Sequence, residues 1–266
     1  DYPELANGRV GALQQDAVSI QRLNLLNAFE DSLSVHLSSY YQRDRIVRSI
    51  DGVNWRSSGQ GLMGAALSFD DRTTFMDSPG VGEGSYSYLV VETNELIESD
   101  FYGEVAQASF QQNFDLPGKD GLTLMYQAGQ ADTEGKPFQL GGWQESTSIF
   151  GRTQVGLPGY ASGVQYGLGY HFGRLEWRHW LGRVERNWYV WPLGLGDYSF
   201  TARAEGAQSW QQDHMQEWLS SVSLQFNVEM ILGYRAVVPL VLGVAKGLDD
   251  KGETSSYFGL KIQKIE

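Results

Sequence analysis

The residues able to do chemistry are few, and most of them are charged. The chain carries four histidines, His36, His171, His179 and His214, and no cysteine. Disulfides, cysteine nucleophiles and thiolate metal sites are therefore excluded. No two histidines have the spacing of a zinc-binding helix, and no Gly-x-Ser-x-Gly run presents a nucleophilic serine. His36 shares a polar face with Ser34 and Ser38. A hydrolase would need a serine within reach of that imidazole and a third polar group to orient it; the reading that fits is a histidine bonded to its neighbours on a polar face. Asp249-Asp-Lys-Gly-Glu253 is acidic but lacks the spacing of a calcium loop, and reads as a solvated hairpin turn. No metal or cofactor is expected. What remains is a set of opposed charges: Arg152, Arg174, Glu176, Arg178, Arg203 and Glu205. In an interior such charges persist only when paired. They imply either a salt-bridged structural network or a gate.

The elements that must position these residues follow from the apolar period. Over 217–230, Trp218, Val222, Leu224, Phe226, Val228 and Met230 share one face with Ser220, opposite Glu217, Leu219, Ser221, Ser223, Gln225, Asn227 and Glu229. This is period two, the period of a strand. The same alternation places Phe200 with Tyr198, Ala202 and Ala204, opposite Thr201, Arg203 and Glu205. It recurs over 33–41, 102–114, 122–128 and 258–262, and further strands are expected at 18–28, 61–69, 85–93, 167–181 and 236–246. Polar, Gly-bearing connections lie between them, as at 77–84, 116–121 and 249–253. No segment shows a sustained helical period.

Composition narrows the class. The 266 residues include 8 Trp, 14 Tyr and 12 Phe but only 20% charged residues, an unusual balance for a water-soluble domain. The longest apolar run, 236–245, contains Pro239 and is far shorter than the ~20 residues of a membrane helix. A membrane β-strand needs only about 9–11 residues, every second one apolar. The net charge of −12 offers no field for nucleic acid. Polar faces rich in Ser, Gln, Asn, Arg and Glu suit a barrel interior, with Phe200, Trp218, Val222, Leu224 and Phe226 facing lipid. Aromatic residues near strand ends (Tyr102, Phe114, Tyr198, Trp210, Trp218, Phe258) suit interfacial girdles. The expectation is an all-β, transmembrane, antiparallel up-and-down β-barrel of about twelve strands, with fourteen as the alternative count; a soluble sandwich is the competing class.

One stretch carries a family likeness. Phe138-Gln-Leu-Gly-Gly142 leads into Gly151-Arg-Thr-Gln-Val-Gly-Leu-Pro-Gly-Tyr160, then Arg174-Leu-Glu-Trp-Arg178, Arg183-Val-Glu-Arg186, Trp191-Pro-Leu193, Ala204-Glu-Gly-Ala-Gln-Ser-Trp210 and Pro239-Leu-Val-Leu-Gly-Val-Ala-Lys-Gly-Leu248. Over 136–266 this order resembles the C-terminal barrel of the bacterial surface antigen superfamily, the outer-membrane barrels of protein-assembly and two-partner-secretion type with their patatin- and propeller-fused relatives. The resemblance implies that 136–166 folds into the lumen, with a tip formed by Leu157, Pro158, Gly159 and Tyr160. It implies five strands after it, at 167–181, 198–210, 216–230, 236–246 and 255–265. The family's loop-tip arginine reaches acidic side chains on the wall; here Pro158 stands in its place, while Glu176 and Glu205 stand where the acidic partners would be.

The functional expectation is a single outer-membrane barrel over 1–266, the C-terminal domain of a longer protein and a monomer in the outer membrane of a Gram-negative bacterium. It would act, without enzymatic chemistry, as a translocation or assembly pore or as the anchor of a fused or periplasmic partner domain. A small-solute channel is the alternative, and an outer-membrane lipid hydrolase a more distant one. Two glutamates facing one confined space repel unless a cation intervenes. Arg152 from the loop, or Arg203 or Arg178 from the wall, is expected to bridge Glu176 or Glu205 and hold the loop inside.

Overall fold

The computed structural model describes residues 10–28, 32–49, 58–73, 82–143, 149–187, 193–212, 214–232 and 236–260. The expected turn residues 77–81, the Trp191-Pro192 pair and the chain end from 261 lie outside these. In chain order the strands are β1 (Val10–Ala28), β2 (Leu33–Ser49), β3 (Ser58–Asp70), β4 (Gly84–Thr93), β5 (Glu104–Leu116), β6 (Asp120–Ala131), β7 (Phe138–Leu140), β8 (Gln154–Val155), β9 (Gln165–Gly167), β10 (Gly169–Asn187), β11 (Leu193–Gln211), β12 (His214–Met215), β13 (Leu219–Leu232), β14 (Ala236–Gly247) and β15 (Thr254–Leu260). The protein is all-β. Its main sheet is one antiparallel meander, β1-β2-β3-β4-β5-β6-β10-β11-β13-β14-β15, with the short β12 paired to β11.

Eleven long strands are thus seen among the described residues, one fewer than expected; the twelfth member of the sheet is the two-residue β12. β10 and β11 are also longer than the alternation suggested. Each has 19 residues, and their ladder shifts register between Trp180 and Gly182. This bulge changes the phase of the side chains, so a strict period-two reading stops at Leu181 although pairing continues.

The sheet buries the face that a water-soluble protein would expose. Along β13, Ser221, Ser223 and Gln225 are buried while Val222, Leu224 and Phe226 are exposed. β5 buries Gln107 and Ser109 and exposes Phe110. β3 buries Ser68 and exposes Met63 and Leu67; β4 buries Glu92 and exposes Leu89 and Val91. β11, β14 and β15 follow the same rule, with Phe200 half-buried and Leu242, Val244 and Phe258 exposed.

The inner face is polar and is roofed at one end by the segment between β6 and β10. That segment holds a small sheet of its own, β8-β7-β9, with β7 parallel to β8 and antiparallel to β9. Its geometry shows that the main sheet is rolled. Gly151 abuts the ring of Tyr40 on β2, and Gly159 abuts the backbone of Gly247 on β14. In a flat sheet these strands would lie eight steps apart, about 38 Å at ~4.8 Å per step. Eight residue steps between the two glycines span at most about 28 Å. Side chains stand nearly perpendicular to a sheet and cannot make up the lateral difference, so the sheet curves around the segment. Among the described residues no ladder joins β15 to β1.

The main apolar cluster lies between this segment and the inner face. Phe138, Leu140, Val155, Leu157 and Tyr160 pack with Val105, Ala131, Tyr170, Phe172, Ala207 and Leu219. Phe138 and Tyr170 meet ring to ring at 4.7 Å.

Candidate functional site

The segment 136–166 is gripped at two corners on opposite walls. At the first, Phe150 packs with Ala66, Tyr88 and Val90. The Gly151 N–H donates to both carboxylate oxygens of buried Glu92, at 2.9 and 3.2 Å. Gln107 Nε2 donates to the Arg152 carbonyl at 2.9 Å, and Arg152 Nη1 donates to the Tyr88 hydroxyl at 3.1 Å. Gly151 has φ of +64°, and a Cβ there would lie 2.7 Å from the Tyr40 ring. Both the backbone and the space require glycine.

The second corner is the Leu157-Pro-Gly-Tyr160 tip, all four residues buried. Gly159 has φ of +93° and lies flat against Lys246 and Gly247, where a Cβ would strike backbone. Its carbonyl accepts the Glu253 N–H at 2.8 Å. The Tyr160 hydroxyl lies 2.6 Å from the Ser220 carbonyl and 2.5 Å from Oδ2 of Asp249, either of which accepts its proton. Asp249 also accepts the Ser220 N–H at 3.2 Å. Burial, and then the Asp249 carboxylate, push the Tyr160 phenol above the usual tyrosine range, so it stays a donor at neutral pH. Gln165 closes the end of the segment: its Nε2 donates to the Glu217 carbonyl at 2.7 Å and its Oε1 accepts the Ser209 N–H at 3.2 Å.

Deeper on the same inner face, β10 and β11 place their charges in direct register, Arg174 opposite Glu205 and Glu176 opposite Arg203. Arg174 Nε meets Glu205 at 2.5 Å. Arg203 Nε meets one oxygen of Glu176 at 2.6 Å and Arg178 Nη2 the other at 2.8 Å. Ser221 on β13 adds a long contact to Glu205 at 3.5 Å. Glu176, Arg203 and Glu205 are all under 9% exposed. Both glutamates therefore find guanidinium groups on the wall itself, as expected for Arg178 and Arg203; Arg174 joins them.

Arg152 is placed otherwise than expected. It reaches neither glutamate, because the turn at Gly151 carries it to the β4–β5 wall, where Tyr88 and Gln107 engage it. The segment is held by Glu92, Gln107 and Asp249 instead of by a salt bridge to Glu176 or Glu205. Gln107 carries a legible signal, since it shares a polar phase with Ser109, Gln111 and Asn113, whereas Glu92 shares its phase with Tyr86, Tyr88 and Val90 and carries none. Asp249, read from sequence as a solvated turn residue, is half-buried against Tyr160.

The outer face carries none of these groups. Phe200, Trp218, Val222, Leu224 and Phe226 all lie on it, Trp218 with its ring over Gly206. His36 is on the inner face and meets Ser68 at 3.0 Å. His171 and His179 lie on the outer face, the first against Tyr126 and Trp210, the second against Asp120 and Trp177.

No protein-family profile matches the chain, and no curated protein is significantly similar to it.

Proposed function

We propose that this chain is a β-barrel of the outer membrane of a Gram-negative bacterium. Segment 136–166 is its internal plug, and the barrel works as a translocation or assembly pore held shut, or as the anchor of a partner domain. The observation that carries this reading is the inversion of burial. Apolar side chains of Leu67, Leu89, Phe110, Leu124, Leu175, Leu224, Val244 and Phe258 are exposed on successive strands, while Ser, Gln, Glu and Arg fill the interior. Soluble monomers rarely expose a contiguous apolar patch above a few hundred Å², and a membrane barrel must do so. The chemistry of the site is positional and not enzymatic: paired charges stiffen one wall, and the plug is bonded to both. The likeness of 136–266 to the bacterial surface antigen barrels supports the same reading through its order of motifs.

The plug's two-cornered attachment favours a closed barrel over a free-running solute channel. Refolded into detergent, the chain is expected to show β circular dichroism and a faster gel mobility before boiling than after. In planar bilayers the wild type should be nearly silent, and Tyr160→Phe combined with Asp249→Asn should raise conductance. A monodisperse monomer in buffer without detergent would rule out the membrane reading; steady high conductance in the wild type would favour the solute channel.

A further inference from the structure

On the outer face, β11 contributes only small side chains where its neighbours contribute large ones. Ala204 lies between Leu175 of β10 and Val222 of β13, and Ala202 between Trp177 and Leu224. The result is a groove of about 550 Å³ with the alanines on its floor, and its lining extends to Lys246 and Thr254. A second depression shares Leu224 and Val244 with it and continues among Phe200, Phe226 and Phe258. The walls stand two strand spacings apart, about 9.5 Å between backbones. Once the wall side chains are subtracted, that width admits an alkyl chain but not an α-helix, which is ~10 Å across.

Beside the groove, across Val222, the lining is chemically distinct. Lys246 faces Thr254 across the β14–β15 pair, and both are exposed on the outer face. Lys246 is turned outward, whereas Arg174, Arg178, Arg183 and Arg203 pair with carboxylates on the inner face. In a protein of net charge −12, an outward lysine beside a hydroxyl, at the edge of an apolar groove, matches a phosphate joined to a hydrocarbon chain.

We propose that this groove binds one anionic, phosphate-bearing membrane lipid, with an acyl chain over Ala202 and Ala204 and the phosphate at Lys246 and Thr254. The proposal rests on the membrane reading and adds to it a discrete lipid site. To test it, the full chain is refolded into phosphatidylcholine vesicles containing a minor share of phosphatidylglycerol, extracted in mild detergent, and examined by native mass spectrometry for retained lipid. The wild type is expected to retain phosphatidylglycerol enriched about fivefold over its share, the preference that one lysine near a charged headgroup provides. Lys246→Gln should insert normally and lose the enrichment; Ala204→Phe should retain neither lipid. Retention of both lipids in the proportion supplied, or an enrichment that survives in Lys246→Gln, overturns the proposal. Flotation on a density gradient scores insertion separately. A wild type that floats without enrichment defeats the lipid site alone, and one that does not float defeats the membrane reading as well.

Discussion

The two faces of β11 and β13 are built from alternate residues of the same strands and obey opposite rules. Inward, Arg203, Glu205, Ser221, Ser223 and Gln225 are buried and joined by ion pairs and hydrogen bonds. Outward, Ala204, Val222, Leu224 and Phe226 are exposed. The hydrophobic effect in water cannot favour this arrangement, because it leaves the apolar area in contact with solvent. In lipid the same arrangement would pair the backbone groups along the ladders and place a largely apolar face at the boundary. The contrast therefore supports the proposal that the outer face meets lipid.

The largest effect should come from breaking the inner face. Glu176→Ala removes the carboxylate that receives both Arg203 and Arg178, and should cost about 3–5 kcal/mol. Urea unfolding of the refolded protein in vesicles, followed by tryptophan fluorescence, measures it. Next comes the outer face: Leu224→Arg should cost about 2–4 kcal/mol in lipid by the same assay. Ser223→Ala, one residue away but inward, should stay within about 0.5 kcal/mol. Similar losses at both positions would erase the distinction between the faces.

The plug should respond more gently. Tyr160→Phe removes the O–H that Ser220 and Asp249 accept, for about 1.5 kcal/mol. The pH dependence has a definite sign. Because the phenol is held above its ordinary value in the folded state, its contribution is complete below the usual tyrosine range and is lost as pH rises through the raised pKa. Wild-type conductance should therefore rise only under strongly alkaline conditions, and Tyr160→Phe should lack that step. The smallest effect is expected at the exposed Arg72–Asp70 pair, where Arg72→Ala should cost about 0.2–1 kcal/mol.

The alternation was legible because a strand's side chains change face at every residue, whatever the tertiary context. Val222, Leu224 and Phe226 could be assigned to one face from their spacing alone. Where the backbone departs from that period, legibility ends. The bulge at Trp180 and Gly182 hid the last turns of the β10–β11 ladder. The wall partners of Glu176 and Glu205 were partly visible, since facing residues on neighbouring strands share a phase. The attachment of the plug was not, because it depends on where a turn at Gly151 aims Arg152, and on contacts between residues as distant as Tyr160 and Asp249. No local pattern encodes those.

The central claim is that the outer face of the sheet meets lipid. The absence of native cysteine makes single-cysteine labelling clean. Each residue from 220 to 227 is replaced in turn by Cys, as in Val222→Cys, labelled with an environment-sensitive fluorophore, and refolded into vesicles containing a lipid-borne quencher. The account predicts strong quenching at 222, 224 and 226 and weak quenching at 221, 223 and 225, a period of two. Uniform quenching, or the opposite phase with 222, 224 and 226 reached first by a water-soluble quencher, would contradict it.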